Sequence, residues 1–166
     1  MKITFYIVLV IVLVLLAILI VGLLLPKKRI LTRQTVFDAS IETVYNTVTN
    51  NREWTYRASL DDLRIIETDG DFEIWDEVSD GITIRFKTKE KRPFTYYSFE
   101  MDSKFFQGEW FAEFETVESG KTLFKATESI EYKNPFLRVI GYTFVNLGKF
   151  METYQTELRN ELARSH

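Results

Sequence analysis

The chain of 166 residues has room for one domain and an appendage, and its 46% apolar and 15% aromatic residues can form a sizeable core. The absence of cysteine excludes disulfides, thiolate catalysis and zinc fingers, and the only histidine is the last residue, His166, which argues against imidazole chemistry. The net charge is -3, but basic residues are concentrated before the first acidic one, so the rest of the chain is more acidic. We therefore predict no nucleic-acid partner, no metal and no cofactor.

The first element is an uninterrupted apolar run that begins at Ile3 and ends at Leu25. As a helix it would rise about 34 Å, against roughly 30 Å for the hydrocarbon core of a bilayer. We predict a single-pass membrane anchor at residues 1–29 and a separate domain at residues 30–166. A cleaved signal peptide is the alternative, but the run is long, one lysine precedes it, and no small-residue cleavage motif follows.

Basic residues flank this run unequally. Lys27, Lys28 and Arg29 follow it, whereas Lys2 and the terminal amine precede it. By the positive-inside bias, the C-terminal domain is predicted to be cytoplasmic.

The next segments alternate between strand and helix signals. Residues 30–39 are rich in β-branched residues and predict a strand. Ser40 can cap a short helix over residues 41–49, whose inward side chains are predicted to be Val44, Tyr45 and Val48. A second short helix or turn is expected at residues 52–58, with Trp54 buried.

From residue 61 onward the apolar period is two, which predicts antiparallel strands. The pair Asp69-Gly70 is typical of a two-residue hairpin turn. This turn would put the following residues on one inner face: Leu63, Ile65, Glu67, Phe72, Ile74, Asp76 and Val78.

The length of the next turn decides which side chains of the third hairpin strand face inward. A two-residue loop would mix polar and apolar side chains on one face. A three-residue loop at residues 79–81 aligns Val78 with Ile82 instead, and it is the prediction made here. It also puts Trp75 on the outer face near Arg85.

Three further strands are predicted at residues 95–101, 109–117 and 121–132. With the strand before them, they contribute these inward residues: Phe86, Tyr97, Phe99, Met101, Trp110, Ala112, Phe114, Phe124, Ala126, Glu128, Ile130 and Tyr132. A turn at residues 118–120, which includes Ser119, joins the last two.

The C-terminal segment predicts one long helix at residues 135–163. Asn134 can cap it and Pro135 can open it. Apolar residues then recur at steps of three and four and define one face: Phe136, Ile140, Phe144, Leu147, Met151, Tyr154, Leu158 and Leu162. A curved sheet is expected to cover this face.

Four segments resemble the START-related superfamily of polyketide cyclases and lipid-transfer domains (SRPBCC). They are VFDASIETVYNTVTNNREWTYR, KRPFTYYSFEM, GEWFAEFETVESGKTLFKATESI and NPFLRV, and the resemblance covers roughly residues 30–163. It implies an α+β helix-grip fold, in which a curved antiparallel sheet of about seven strands wraps a long C-terminal helix. The fold would enclose an apolar cavity for a lipid, sterol, polyketide or similar ligand.

The inward faces and the helix stripe supply the candidate ligand-binding residues, which are Asp76, Phe86, Tyr97, Phe99, Trp110, Phe114, Phe124, Glu128, Phe144, Leu147 and Met151. Asp76 and Glu128 interrupt apolar faces, so they could orient a ligand hydroxyl or act as a general acid or base. The alternative is that a strand slips by one residue and the carboxylate faces water. The superfamily has no fixed catalytic set to carry over.

Three functions remain open. The first is a membrane-anchored binding protein for a hydrophobic or lipid-like molecule. The second is an enzyme of the cyclase or dehydratase kind, and the third is an interaction protein whose cavity is filled by its own side chains.

Overall fold

A computed structural model describes residues 2–118 and 120–164, with Glu118 described by its backbone alone. The turn residue Ser119 and the terminal His166 lie outside the described residues. The elements are, in chain order, α1 (Lys2–Leu24), β1 (Lys28–Phe37), α2 (Ile41–Thr49), a 3₁₀ helix (Asn51–Tyr56), β2 (Asp62–Asp69), β3 (Phe72–Ser79), β4 (Ile82–Arg92), β5 (Tyr96–Asp102), β6 (Phe106–Glu118), β7 (Lys121–Tyr132), α3 (Pro135–Phe144) and α4 (Leu147–Arg164).

The seven strands form one antiparallel sheet in the order β1-β7-β6-β5-β4-β3-β2. The first strand therefore pairs with the last, and the intervening strands follow one another as hairpins. Side chains of the inner face pack with α2 and α4 in one core that includes Val44, Phe124 and Leu158. The prediction of a helix-grip α+β fold is confirmed.

Helix starts follow the capping residues in the sequence. The Ser40 hydroxyl accepts a hydrogen bond from the Thr43 amide at the start of α2. The Asn134 side chain accepts one from the Leu137 amide, and Pro135 occupies the first turn of α3. Both predicted starts are confirmed, because these side chains satisfy amides that have no partner within the helix.

The hairpins around β3 differ from the prediction. Asp69 pairs with Phe72, so the first turn is Gly70-Asp71. Ser79 pairs with Ile82, so the second is the two-residue turn Asp80-Gly81. Both of its residues have positive φ, 50° and 71°, as a type I′ turn requires. The predicted three-residue loop is wrong, since aspartate tolerates this backbone conformation.

This register reverses the faces of β3. Trp75 pairs with Phe86 and is buried on the inner face, together with Glu77. Asp76 lies on the outer face, where the Arg85 guanidinium donates two hydrogen bonds of 2.8 Å to its carboxylate. The prediction that Asp76 faces the cavity is wrong, because a shift of one residue turns every side chain to the other face.

The predicted single C-terminal helix is two helices, α3 and α4. The chain turns extended at Val145, and the Asn146 side chain accepts a hydrogen bond of 3.0 Å from the Lys149 amide, which caps α4. The face of the long helix therefore does not continue through the break. Leu147, Met151, Leu158 and Leu162 are buried as predicted.

The break turns the predicted face of α3 outward. The exposed fraction of the Phe144 side chain is 79%, so its prediction as an inward ligand-binding residue is wrong. Phe136 and Ile140 are exposed on the same helix. Gly141 explains this placement, because a Cβ there would collide with the Tyr132 ring, so α3 faces β7 with its small residue.

Candidate functional site

A cavity of about 550 Å³ lies between the inner face of the sheet and the C-terminal helices. This volume is within the range of small-molecule sites, about 300–1,000 Å³. Its wall contains seven of the predicted ligand-binding residues, Phe86, Tyr97, Phe99, Trp110, Glu128, Leu147 and Met151. Phe114 and Phe124 are instead buried in the adjoining core.

Aromatic rings form the apolar wall. Trp75 stacks on Phe86 with ring centroids 5.2 Å apart, and Phe99 stacks on Trp110 at 4.8 Å. Phe99 also meets Trp75 edge to face at 5.4 Å. Interlocked rings of this kind hold their positions with few rotatable bonds, so the wall can bind an apolar body without much rearrangement.

A buried ion pair lies in this wall. The Arg57 guanidinium donates hydrogen bonds of 2.6 and 2.8 Å to the two carboxylate oxygens of Glu77. The Trp75 indole donates a third, of 3.0 Å, to Glu77, and Arg57 lies 5.3 Å from the Tyr154 ring centre. Burial lowers the pKa of Arg57, but the facing Glu77 carboxylate more than offsets this, so that pKa lies above its ordinary value.

Glu128 is the second carboxyl group of the cavity. It projects from β7, where it pairs with Trp110 of β6. Burial, and to a smaller extent the negative charge of Glu77, raise the pKa of Glu128 to about 7. Neither cause is a hydrogen bond. The Glu128 carboxyl group can therefore hold or release a proton near neutral pH. It also remains available to hydrogen-bond a ligand in the cavity.

Several donors in the wall have no partner. Among the described residues, nothing accepts from Arg57 Nε, Tyr97 Oη, Tyr132 Oη or Gln155 Nε2 within hydrogen-bond distance. Each is buried, and an unsatisfied buried polar group costs about 1–3 kcal/mol. Burial also raises the pKa of Tyr97, which keeps its phenol protonated as a donor. The cavity thus combines apolar walls with donors suited to oxygen atoms of a ligand or to water.

The sequence pattern predicts the aromatic wall but not the ion pair between Arg57 and Glu77. The predicted alternation of β3 puts Glu77, like Trp75, on the outer face, and no pattern in the sequence distinguishes Arg57. The Asp-Gly signature of a type I′ turn at residues 80 and 81 was the signal that could have corrected the position of Glu77. No local pattern predicts that Arg57, 20 residues away in the sequence, pairs with the Glu77 carboxylate.

The sequence matches no family model and no curated protein. Solved structures match its fold. An aromatase/cyclase, Zhui, from Streptomyces sp. R1128 gives a TM-score of 0.72 at 10% identity, covering 82% of this chain and 94% of its own.

Two other structures agree. A START superfamily protein from Mycobacterium smegmatis gives a TM-score of 0.66 at 13% identity, covering 82% of this chain and 99% of its own. A truncated norcoclaurine synthase from Thalictrum flavum gives 0.63 at 10% identity, covering 81% and 94%. At such identities the likeness establishes the fold alone.

Proposed function

The chain has the helix-grip fold of START superfamily and aromatase/cyclase structures, and from that premise we propose that it binds a hydrophobic or lipid-like small molecule. The single observation that carries the proposal is a cavity of about 550 Å³ with apolar aromatic walls and four unpartnered donors. A core filled by its own side chains would leave no such volume and would pair its polar groups. The ligand accordingly has an apolar body and an oxygen-bearing polar group.

We propose further that residues 1–29 anchor the protein to a membrane and that residues 30–166 form the ligand-binding domain. One described helix, α1, is long and apolar enough to cross a bilayer. Its side chains are exposed along almost its whole length, which a core helix of a water-soluble domain would not allow. The basic residues after α1 support a single-pass topology with the domain in the cytoplasm.

The test is to add ligands to the full chain after delipidation and to count bound molecules by native mass spectrometry. The panel contains a long-chain fatty acid, a lysophospholipid and a sterol. Ile84→Trp fills the cavity, and the matched control Ile66→Trp replaces an exposed isoleucine outside it. We expect one molecule bound to the wild type and to Ile66→Trp, with binding lost in Ile84→Trp. A wild-type protein that binds none of the panel, or equal binding by both variants, would contradict the proposal.

A second function, proton-transfer catalysis on the bound molecule, is favoured by one observation. The pKa of Glu128 is about 7, which suits a general acid or base at neutral pH. Compounds that bind should then be converted by the wild type, and Glu128→Gln should bind them without converting them. Equal conversion by both proteins would remove Glu128 from the chemistry.

A further inference from the structure

The end of α1 is packed against α3. Gly22, in the last turn of α1, is buried, and a Cβ at this position would collide with the backbone carbonyl of Pro135. The close approach depends on glycine, because any side chain would push the two helices apart. The two helices meet at the C-terminal end of α1, whereas the side chains of residues 2–17 are exposed.

Hydrogen bonds fix the same contact. Arg138 is buried, and its Nη1 donates to the Gly22 carbonyl at 2.7 Å and to the Leu25 carbonyl at 3.3 Å. The Tyr142 hydroxyl donates to the Pro26 carbonyl at 3.3 Å. The last carbonyls of a helix have no partner within it, and a cation there also suits the helix dipole. Arg138 therefore acts as the C-terminal cap of α1.

A second arginine, Arg29, also contributes to the contact between α1 and α3. Arg29, just after α1, donates from Nη1 to the Val145 carbonyl at 2.8 Å, and its guanidinium lies 5.3 Å from the Tyr142 ring centre. Arg29 thus caps the C-terminal end of α3, as Arg138 caps that of α1. We call this contact the α1–α3 joint. It consists of Gly22 packed on Pro135, Arg138 capping α1 and Arg29 capping α3.

The α1–α3 joint determines where the exposed face of α3 lies. Phe136, Ile140 and Phe144 recur at steps of four and form one outward apolar stripe, with exposed fractions of 41%, 51% and 79%. Phe150 of α4 is also exposed, at 62%. When α1 spans a bilayer, its last turn lies at the membrane boundary, and the joint holds this apolar stripe at the same depth.

The stripe also borders the cavity. Ile140 and Phe150 are exposed and line the cavity at the same time, and Leu137 and Val145 continue its wall from α3. The cavity is therefore open next to the stripe. A ligand entering there would leave the bilayer without crossing bulk water.

We infer that α3 is an interfacial helix that seats the Phe136, Ile140 and Phe144 stripe, with Phe150, in the bilayer that α1 spans, and that the cavity opens to that leaflet. The proposal rests on the membrane anchor of the proposed function. Burial of the apolar stripe in the acyl boundary supplies the driving force, and the exposed Lys27 and Lys28 suit anionic headgroups beside it.

The absence of cysteine allows single nitroxide labels to be placed on the full chain in nanodiscs of phosphatidylcholine and phosphatidylglycerol. Labels go at Phe144→Cys on the stripe, Leu13→Cys in mid-α1, and Thr116→Cys, an exposed site at the far end of β6. Accessibility to oxygen and to a water-soluble nickel chelate is measured by electron paramagnetic resonance. We expect the Phe144 label to prefer oxygen, at a depth between the other two.

The outcomes separate the two proposals. A Phe144 label as open to nickel as the Thr116 label, with the Leu13 label in lipid, would overturn the interfacial helix and leave the anchor intact. A Phe144 label shielded from both reagents would overturn it in favour of a protein partner or a second copy. A Leu13 label open to nickel would remove the anchor itself.

Gly22→Leu tests the joint. It should raise the nickel accessibility of the Phe144 label several-fold and leave the Leu13 label unchanged, because the added side chain separates α3 from α1. Val21→Leu is the matched control on the exposed side of the same turn. If Gly22→Leu leaves the Phe144 label at its original depth, the joint does not position α3 and the proposal fails.

Discussion

Glu128 makes the stability of the fold depend on pH near neutrality. Its pKa is about 7 in the folded protein, against an ordinary value of 4.5, so the folded state binds this proton more tightly than the unfolded state. The resulting stabilisation is fully present below pH 4.5 and is lost as the pH rises through 7. At pH 8 the folded protein must bury an ionised carboxylate near Glu77.

Glu128→Gln should therefore stabilise the protein at pH 8 by up to about 3 kcal/mol, and by little at pH 5. The measurement is the apparent melting temperature of the full chain in nanodiscs at both pH values. Glu115→Gln, an exposed glutamate of β6, is the control and should change neither value appreciably. A stabilisation by Glu128→Gln that is equal at pH 5 and pH 8 would show that Glu128 does not titrate in this range.

Two ion pairs of β3 differ in burial, and their loss should differ accordingly. Arg57→Met leaves the buried Glu77 carboxylate without its cationic partner and should lower the free energy of unfolding by about 3–5 kcal/mol. Arg85→Met leaves Asp76 near the surface, where water replaces the lost partner, and should have little effect. Denaturant unfolding of both variants gives the comparison, and equal losses would contradict the buried site.

At the scale of elements, the sequence predicts those parts whose signals are local. α2 and β7 have the predicted bounds because a capping serine and a period of two lie within each segment. The alternation within β3 alone does not predict its face, because that face depends on the two-residue turn at Asp80-Gly81 and on Arg57, which pairs with Glu77 from outside the strand. The sequence does not reveal that the apolar face of α3 is exposed, because the three- and four-residue spacing of apolar residues continues across the break at Asn146.

Asn146→Ala should destabilise the protein by about 1 kcal/mol, because the amide of Lys149 loses its capping acceptor. Asn160→Ala, at an exposed position inside α4, is the matched control and should be neutral or slightly stabilising, since alanine favours the helix. Thermal unfolding followed by circular dichroism distinguishes the two. A loss of stability in Asn160→Ala as large as that in Asn146→Ala would argue against the cap.

At the scale of the whole molecule, three features adjoin one another: the exposed apolar helix α1, the α1–α3 joint and the cavity. α1 provides the apolar surface suited to a bilayer, the α1–α3 joint ties that surface to the domain, and the cavity lies directly behind α3. The likeness to START superfamily and aromatase/cyclase structures establishes the fold in which this cavity lies. The family resemblance of the sequence predicts this fold. It does not predict the α1–α3 joint, which depends on contacts between segments far apart in the chain.

The most direct test is recovery of the native ligand from the full chain, purified from cells and extracted with organic solvent. Mass spectrometry of the extract should find one compound at about one molecule per chain, with an apolar body and an oxygen-bearing group that matches the unpartnered donors. Ile84→Trp should lose that compound, whereas Ile66→Trp should keep it. Protein that is repeatedly empty, or that carries only bulk lipid in equal amounts in both variants, would contradict a ligand-binding cavity.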